Sequence, residues 1–247
     1  NGDHRDLHLS IRRQRQMCIR DSCRRPAFCS LLFRTFHWFL GCRRGFQGSI
    51  CNDDPRRRKG FPAAAAVDEG TPSIVNIIGT GSNCSYYDGK NVIQKVDSLG
   101  YVLMDYASGN YYGKYLIRAY YFNKMPENLR DEFAKKFDLS PNTIKNRLYR
   151  EENPNTYLAS FARFLIENKS DEYFKEIIFK GLERFIDYQI LQYDDFSKVD
   201  IHYVGSVAFY LQDEITRIGK KYNLKTGRFI KRPIEGLVEY HKRNILK

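Results

Sequence analysis

Past residue 70 the sequence has one cysteine, Cys84, and no tryptophan. That excludes a disulfide framework in this part and leaves no cysteine pair for a metal cluster. Nowhere does the chain hold a Cys-x-x-Cys pair. The five earlier cysteines, Cys18, Cys23, Cys29, Cys42 and Cys51, are separated by four, five, twelve and eight residues, so no zinc knuckle is expected. No apolar run has membrane length. The best, Leu31–Leu40, is interrupted by Arg34 and His37 and falls far short of the ~20 residues needed to cross a bilayer. No small-residue cleavage site leads from it into a disulfide-rich mature domain, so a signal peptide is not expected either. There is no strand-to-helix G-x-G-x-x-G and no glycine loop ending in a Walker lysine. The first 70 residues lack tyrosine altogether, although the chain has 18.

That last absence marks a break. Residues 1–70 hold 13 Arg and 1 Lys, whereas residues 71–247 hold 10 Arg and 17 Lys. The net charge of +12 divides as +7 before the break and +5 after it. A basic chain suggests nucleic acid or an anionic membrane as partner. Here most of the excess sits in the first segment, and the Lys and Glu of the remainder are interspersed as on a solvated helical surface.

Residues 1–70 show neither a helical nor an alternating period. An arginine-rich arm for nucleic acid (Arg12, Arg13, Arg15, Arg20, Arg24, Arg25 and Arg56–Lys59) would bind in a salt-dependent way lost on deleting this segment. The string Gln16-Met17-Cys18-Ile19-Arg20-Asp21-Ser22 resembles translated adapter sequence, and the stretch from Cys23 to about Gly70 resembles a neighbouring reading frame. The segment is therefore expected to be non-native or disordered, with the native domain spanning 71–247.

From Thr71 the signals become regular. The sequence predicts strands at Ser73–Ile78, Cys84–Tyr87 and Asn91–Val96, with the Asp88-Gly89 hairpin signal between the last two. Helices are expected at 110–122, 126–137, 141–149, 154–167 and 171–193, with Ser140-Pro141 as an N-cap and first-turn proline. A strand at 200–204, a helix at 207–222, a strand at 227–231 and a helix from Pro233 to about Lys242 complete the order. This is an α/β domain, a mixed sheet flanked by helices.

Three motifs carry chemistry. Gly79-Thr80-Gly81-Ser82 lies in a strand–turn–strand setting, where glycines let backbone amides approach an anion and the two hydroxyls add hydrogen bonds; a plain hairpin explains the turn equally well. Asp105 immediately precedes a helix, where it could meet sugar hydroxyls or metal-bound water, or simply complement the helix dipole. Gly205-Ser206 joins a strand to a helix and leaves room for a flat base or ribose; close helix–strand packing alone also accounts for Gly205. His202 and His241 stand alone and read as structural. Aromatic residues at helical spacing through 110–195 read as core.

In order and spacing these pieces resemble the C-terminal half of the N-acetylglucosamine kinase and BadF-type ATPase family, with the Bacteroidetes members most similar. The resemblance rests on Ile77–Cys84 (IIGTGSNC), Tyr87–Gly89 (YDG), Ser98–Tyr101 (SLGY) and Ser108–Lys114 (SGNYYGK). It continues through Asn153–Phe161 (NPNTYLASF), His202–Ala208 (HYVGSVA) and Pro233–His241 (PIEGLVEYH). It implies an actin-like ATPase (ribonuclease H-like) C-terminal domain. By it, Gly79, Thr80, Gly81 and Ser82 would hold ATP phosphates, Asn83, Cys84 and Asp105 would face the sugar, and Gly205 and Ser206 would take adenosine. It implies ATP and Mg²⁺ as cofactors, an amino-sugar substrate, transfer of the γ-phosphate to the 6-hydroxyl of N-acetylglucosamine, and a cytoplasmic location. Nucleic acid and membrane are not expected as partners; a homodimer is left open.

Two departures matter. The family's G-D-E-G-S-G loop reads Met104-Asp105-Tyr106-Ala107-Ser108-Gly109 here. The family's first half, with its D-x-G-x-T-x-T loop and the Asp that serves as general base, has no match in residues 1–70, so the chain is expected to be inactive alone. Two further readings stay open. One is an ATPase of the dehydratase-activator type, which the lone Cys84 argues against. The other is a nucleotide-sensing domain without turnover, which the altered 104–109 loop favours.

Overall fold

The computed structural model describes residues 61–67, 70–234, 236 and 238. The arginine-rich stretch, the five early cysteines, Trp38, His241 and most of the helix expected after Pro233 lie outside them.

Strand β1 (Ser73–Ile78) carries four β-branched apolar residues, Ile74, Val75, Ile77 and Ile78, and pairs antiparallel with β2 (Ser82–Tyr87), with Ile78 opposite Ser82. Strand β3 (Val92–Ile93) adds antiparallel to β2. On the other side of β1 lie β4 (Asp200–Val204) and β5 (Lys225–Ile230), both parallel, so the order is β3-β2-β1-β4-β5. Strand β2 alone runs against the other four. The third strand is thus two residues long rather than the six expected from Asn91–Val96.

Period-2 alternation gives the sheet two different faces. Ile74, Ile78, Cys84, Ile201 and Tyr203 point into a large core shared with the helices. Val75, Tyr87, Val92 and Val204 pack on the other face against Ala63, Ala64 and Val67 of α1 (Phe61–Val67). The sequence predicts a boundary at Gly70; α1 lies before it and packs on the sheet. A run of alanines has no period to read, so only its packing reveals it.

Helices α2 (Gly109–Tyr121), α3 (Glu127–Lys136), α4 (Pro141–Tyr149), α5 (Pro154–Glu167) and α6 (Glu172–Tyr188) form the long crossover from β3 to β4. Ser108 caps α2 by accepting from the Tyr111 amide at 3.2 Å, and Asp171 caps α6 by accepting from the Tyr173 amide at 2.8 Å. At α4 the expected serine cap is replaced. Ser140 makes no side-chain cap bond; instead Asp138 accepts from the Ser140 amide at 3.0 Å and from the Thr143 hydroxyl at 2.8 Å.

Helices α2 and α5 cross where side chains are smallest. A Cβ on Gly113 would sit 1.8 Å from the Leu158 carbonyl oxygen, and one on Gly109 would sit 2.8 Å from Ala159 Cβ. Phe133 then gathers Phe137, Phe161 and Phe164, with ring centroids 5.0, 5.8 and 5.2 Å away, in tilted contacts that suit aromatic quadrupoles.

The expected helix at 171–193 stops at Tyr188 and is succeeded by a 3₁₀ turn, Ile190–Gln192. The helix expected at 207–222 is divided at Leu211 into α7 (Ser206–Tyr210) and α8 (Gln212–Lys221). Leu211 is fully buried at the bend, with φ −105° and ψ 21°, so burying it decides the break. Its place in an apolar run does not reveal this.

Candidate functional site

Strands β1 and β4 are parallel, so Ile78-Gly79 and Val204-Gly205 leave the sheet side by side at the same end. Ligands in open α/β sheets bind beyond these carboxyl ends. Gly205 has φ +124°, and its amide donates to the Ile230 carbonyl at 2.8 Å. A Cβ on it would lie 2.5 Å from the Ile78 carbonyl oxygen and 3.2 Å from the Gly79 nitrogen. Only glycine allows the two loops to touch in this way.

The turn after β1 is closed by the Gly79 amide donating to the Gly81 carbonyl at 2.9 Å. Its other carbonyls are held by the start of α2. Gly79 O accepts from the Gly109 amide at 2.8 Å, and Thr80 O accepts from the Asn110 amide at 3.0 Å. Two amides that a helix start leaves without intrahelical partners are thereby satisfied by the turn itself. Thr80 is exposed, and Gly79, Gly81 and Ser82 are half-buried. The Ser82 hydroxyl donates to the Tyr106 carbonyl at 2.7 Å, so its proton ties the two loops together.

Asp105 and Ala107 both lie in the left-handed region, with φ +63° and +59°. The Ser108 amide donates to the Asp105 carbonyl at 3.2 Å and closes this second turn. The turn folds the Asp105 carboxylate back onto the glycine loop: Oδ2 is 2.6 Å from where a Gly81 Cβ would stand. Asn110 Nδ2 donates to the same oxygen at 3.5 Å, and both side chains are buried. The Lys114 ammonium donates to the Tyr101 carbonyl. Burial and then Arg118 press the Lys114 pKa below the usual lysine range, against the opposing pull of Asp105. Asn110 and Lys114 are absent from the sequence-predicted site; their signal was their place in the SGNYYGK run.

Asn83 and Cys84 are not brought together. Adjacent strand residues face opposite sides, and Cys84 points into the helical core, fully buried. Burial pushes its thiol pKa far up, and Tyr193 donates its hydroxyl to the Cys84 carbonyl at 3.2 Å. Asn83 lies opposite Ile77, on the α1 side, with its Oδ1 buried and without a hydrogen-bond partner among the described residues. His202 is structural: its Nδ1 accepts from the Arg228 amide at 3.0 Å.

Beyond Gly205, the exposed Lys231 ammonium folds over α7. It donates to the Tyr210 hydroxyl at 2.6 Å and lies 4.5 Å from the Tyr210 ring centroid and 5.6 Å from that of Phe209. This hydrogen bond holds the Tyr210 phenol below the usual tyrosine range. A separate open depression of about 450 Å³ lies between α3 and α5, lined by Glu132, Lys135, Lys136, Phe164, Glu167 and Asn168. None of these is a candidate site residue.

The fold is similar to that of a protein from Porphyromonas gingivalis provisionally assigned as an N-acetylglucosamine kinase, with a TM-score of 0.70 and 31% identity. The match covers 74% of this chain and 64% of that protein, so the chain spans just under two thirds of its length. A second, from Chromobacterium violaceum and given the same provisional assignment, matches at TM-score 0.51 and 14% identity over 73% of this chain and 63% of its own, and speaks to the fold alone. No family model matches the chain, and no curated protein does. The expected likeness to Bacteroidetes proteins agrees with the Porphyromonas neighbour. Among the described residues no helix is long and apolar enough to cross a membrane.

Proposed function

We propose that this chain is the ATP-binding part of an amino-sugar kinase of the N-acetylglucosamine kinase and BadF-type family, with an actin-like (ribonuclease H-like) core. The observation that carries the reading is the convergence of three loops far apart in sequence. Gly79–Ser82, Asp105 and Gly205-Ser206 meet at one end of the sheet through the Gly205–Ile78, Gly81–Asp105 and Ser82–Tyr106 contacts. In this reading the 79–82 turn holds the phosphates, Asp105 meets the sugar or metal-bound water, and Gly205-Ser206 lies along the adenosine. The buried environment of Cys84 supports a core role for it, and leaves Asn83 as the substrate candidate of the pair.

Among the described residues no group of three or more His, Cys, Asp or Glu could hold a metal by itself. That suits Mg²⁺ carried on the phosphates and touched by a single carboxylate, here Asp105. When bound it would neutralise charge on the transferred phosphoryl group. The residues of this chain would position and orient the nucleotide. By the resemblance, the base that takes the proton of the sugar 6-hydroxyl is assigned to the family's first half, which residues 1–70 do not match. The chain alone is therefore expected to bind ATP without phosphorylating N-acetylglucosamine.

ATP titration by calorimetry, run beside a phosphorylation assay, tests this. Binding without turnover is the expected outcome. No ATP binding would overturn the reading, and turnover by this polypeptide alone would overturn the assignment of the base to the family's first half. The dehydratase-activator alternative is not favoured, because the cysteine near the site, Cys84, is buried.

A further inference from the structure

The cluster on α7 is unused by the glycine turn and by Asp105, yet it starts from the Gly205-Ser206 loop assigned to the nucleotide. Gly205 is bonded to Ile230, so the next residue, Lys231, begins at the edge of the site. Tyr210 closes the short helix that Ser206 opens. It is 43% exposed, on the side of the helix away from the buried Val207 and Ala208. The residue is held at two points, the ring by its hydroxyl and the backbone by its carbonyl. Lys231 holds its hydroxyl at 2.6 Å, and Lys169, itself paired with Glu214 at 3.2 Å, donates to its backbone carbonyl at 2.9 Å. An exposed aromatic held rigid is suited to stacking, because little rotamer freedom is left to lose on binding. A flat ring beside an ammonium also matches a ligand that is aromatic at one end and anionic at the other.

Resting on the proposed function, we infer that Tyr210 and Lys231 form the shelf on which the purine base of the nucleotide stacks. Tyr210 supplies the face. Lys231 fixes the ring and adds a cation beside the base and ribose. The phosphates then extend toward Gly79–Ser82, reached across Gly205, where the absence of a side chain brings the two loops into contact. The shelf reads the base and not the phosphates, so it affects nucleotides and leaves inorganic triphosphate untouched.

The test is calorimetric titration of the full chain with ATP and with inorganic tripolyphosphate. Stacking of a base is worth about 1–3 kcal/mol, roughly 5- to 150-fold in affinity. Tyr210→Ala is expected to weaken ATP binding by at least about 5-fold while leaving tripolyphosphate within about 2-fold of the unmodified chain. Tyr210→Phe should retain most of the ATP affinity. Lys231→Met, which frees the ring, should weaken ATP by a smaller factor. If Tyr210→Ala binds ATP unchanged, or loses tripolyphosphate in the same proportion, the shelf is wrong although the nucleotide reading stands. If the unmodified chain binds neither ligand, both fail together. Circular dichroism of each variant separates loss of binding from loss of fold.

Discussion

Gly205 stands so close to Ile78 that a Cβ on it would lie 2.5 Å from the Ile78 carbonyl oxygen. The contact joins the ends of two parallel strands that are more than 120 residues apart in the chain. It also fixes how near the two candidate nucleotide loops can be.

Gly205→Ala is accordingly expected to destabilise the domain by about 3 kcal/mol or more. The backbone at φ +124° is strained for any side chain, and the obstructing atom is backbone that has no room to rotate away. Urea denaturation checks it. A midpoint within error of the unmodified chain would show that the two loops are free to separate.

Gly81→Ala should behave differently. Its obstruction is the Asp105 carboxylate, 2.6 Å from the added Cβ, and Gly81 itself has no positive φ. A side chain can move, so the stability loss should stay under about 1.5 kcal/mol. The displaced Asp105 should cost any ligand it contacts. ATP affinity with Mg²⁺ present should fall more steeply than affinity without it. Equal losses under both conditions would separate Asp105 from the metal.

Ala107 is fully buried at φ +59°, where the family loop has glycine. A left-handed alanine costs about 1–2 kcal/mol, which roughly offsets the buried methyl and the added chain entropy of glycine. Ala107→Gly is expected to leave stability within about 1 kcal/mol of unchanged. Ala119→Gly, equally a methyl deletion but inside α2, should cost about 1–2 kcal/mol. Thermal melts of the two variants side by side decide it, and equal losses would remove the strain argument.

Alkaline pH should unfold the domain through its buried and half-buried tyrosines. Desolvation raises the pKa of both Tyr173 and Tyr193 to about 12, above the tyrosine value of 10.0. Folded pKa values above unfolded ones mean that the folded state keeps these protons more tightly. Their contribution is whole below pH 10 and is lost as pH rises through 12. Tyr112 and Cys84 are shifted upward in the same sense by burial. Tyrosinate absorbance should therefore rise in two stages, the second coinciding with loss of helical circular dichroism. Tyr210, which Lys231 shifts downward, belongs to the first. A single transition with the fold intact would contradict this.

The sequence by itself determined most of the elements, because they rest on local signals. A run of β-branched apolar residues makes β1, Pro141 and Pro154 start their helices, and Asp171 caps α6. It also singled out the candidate loops, since glycines at 79, 81 and 205 and a carboxylate at 105 are visible as letters. The tertiary structure decided what no local pattern encodes. Strand pairing placed Gly205 beside Ile78, and left-handed backbone turned Asp105 onto Gly81. The pleat sent Cys84 into the core and Asn83 to the other face. Packing against Val75 and Val204 admitted α1, whose alanines carry no period. Side-chain type is a property of the chain, whereas proximity depends on which distant segments bury one another, and that is settled only when the sheet forms.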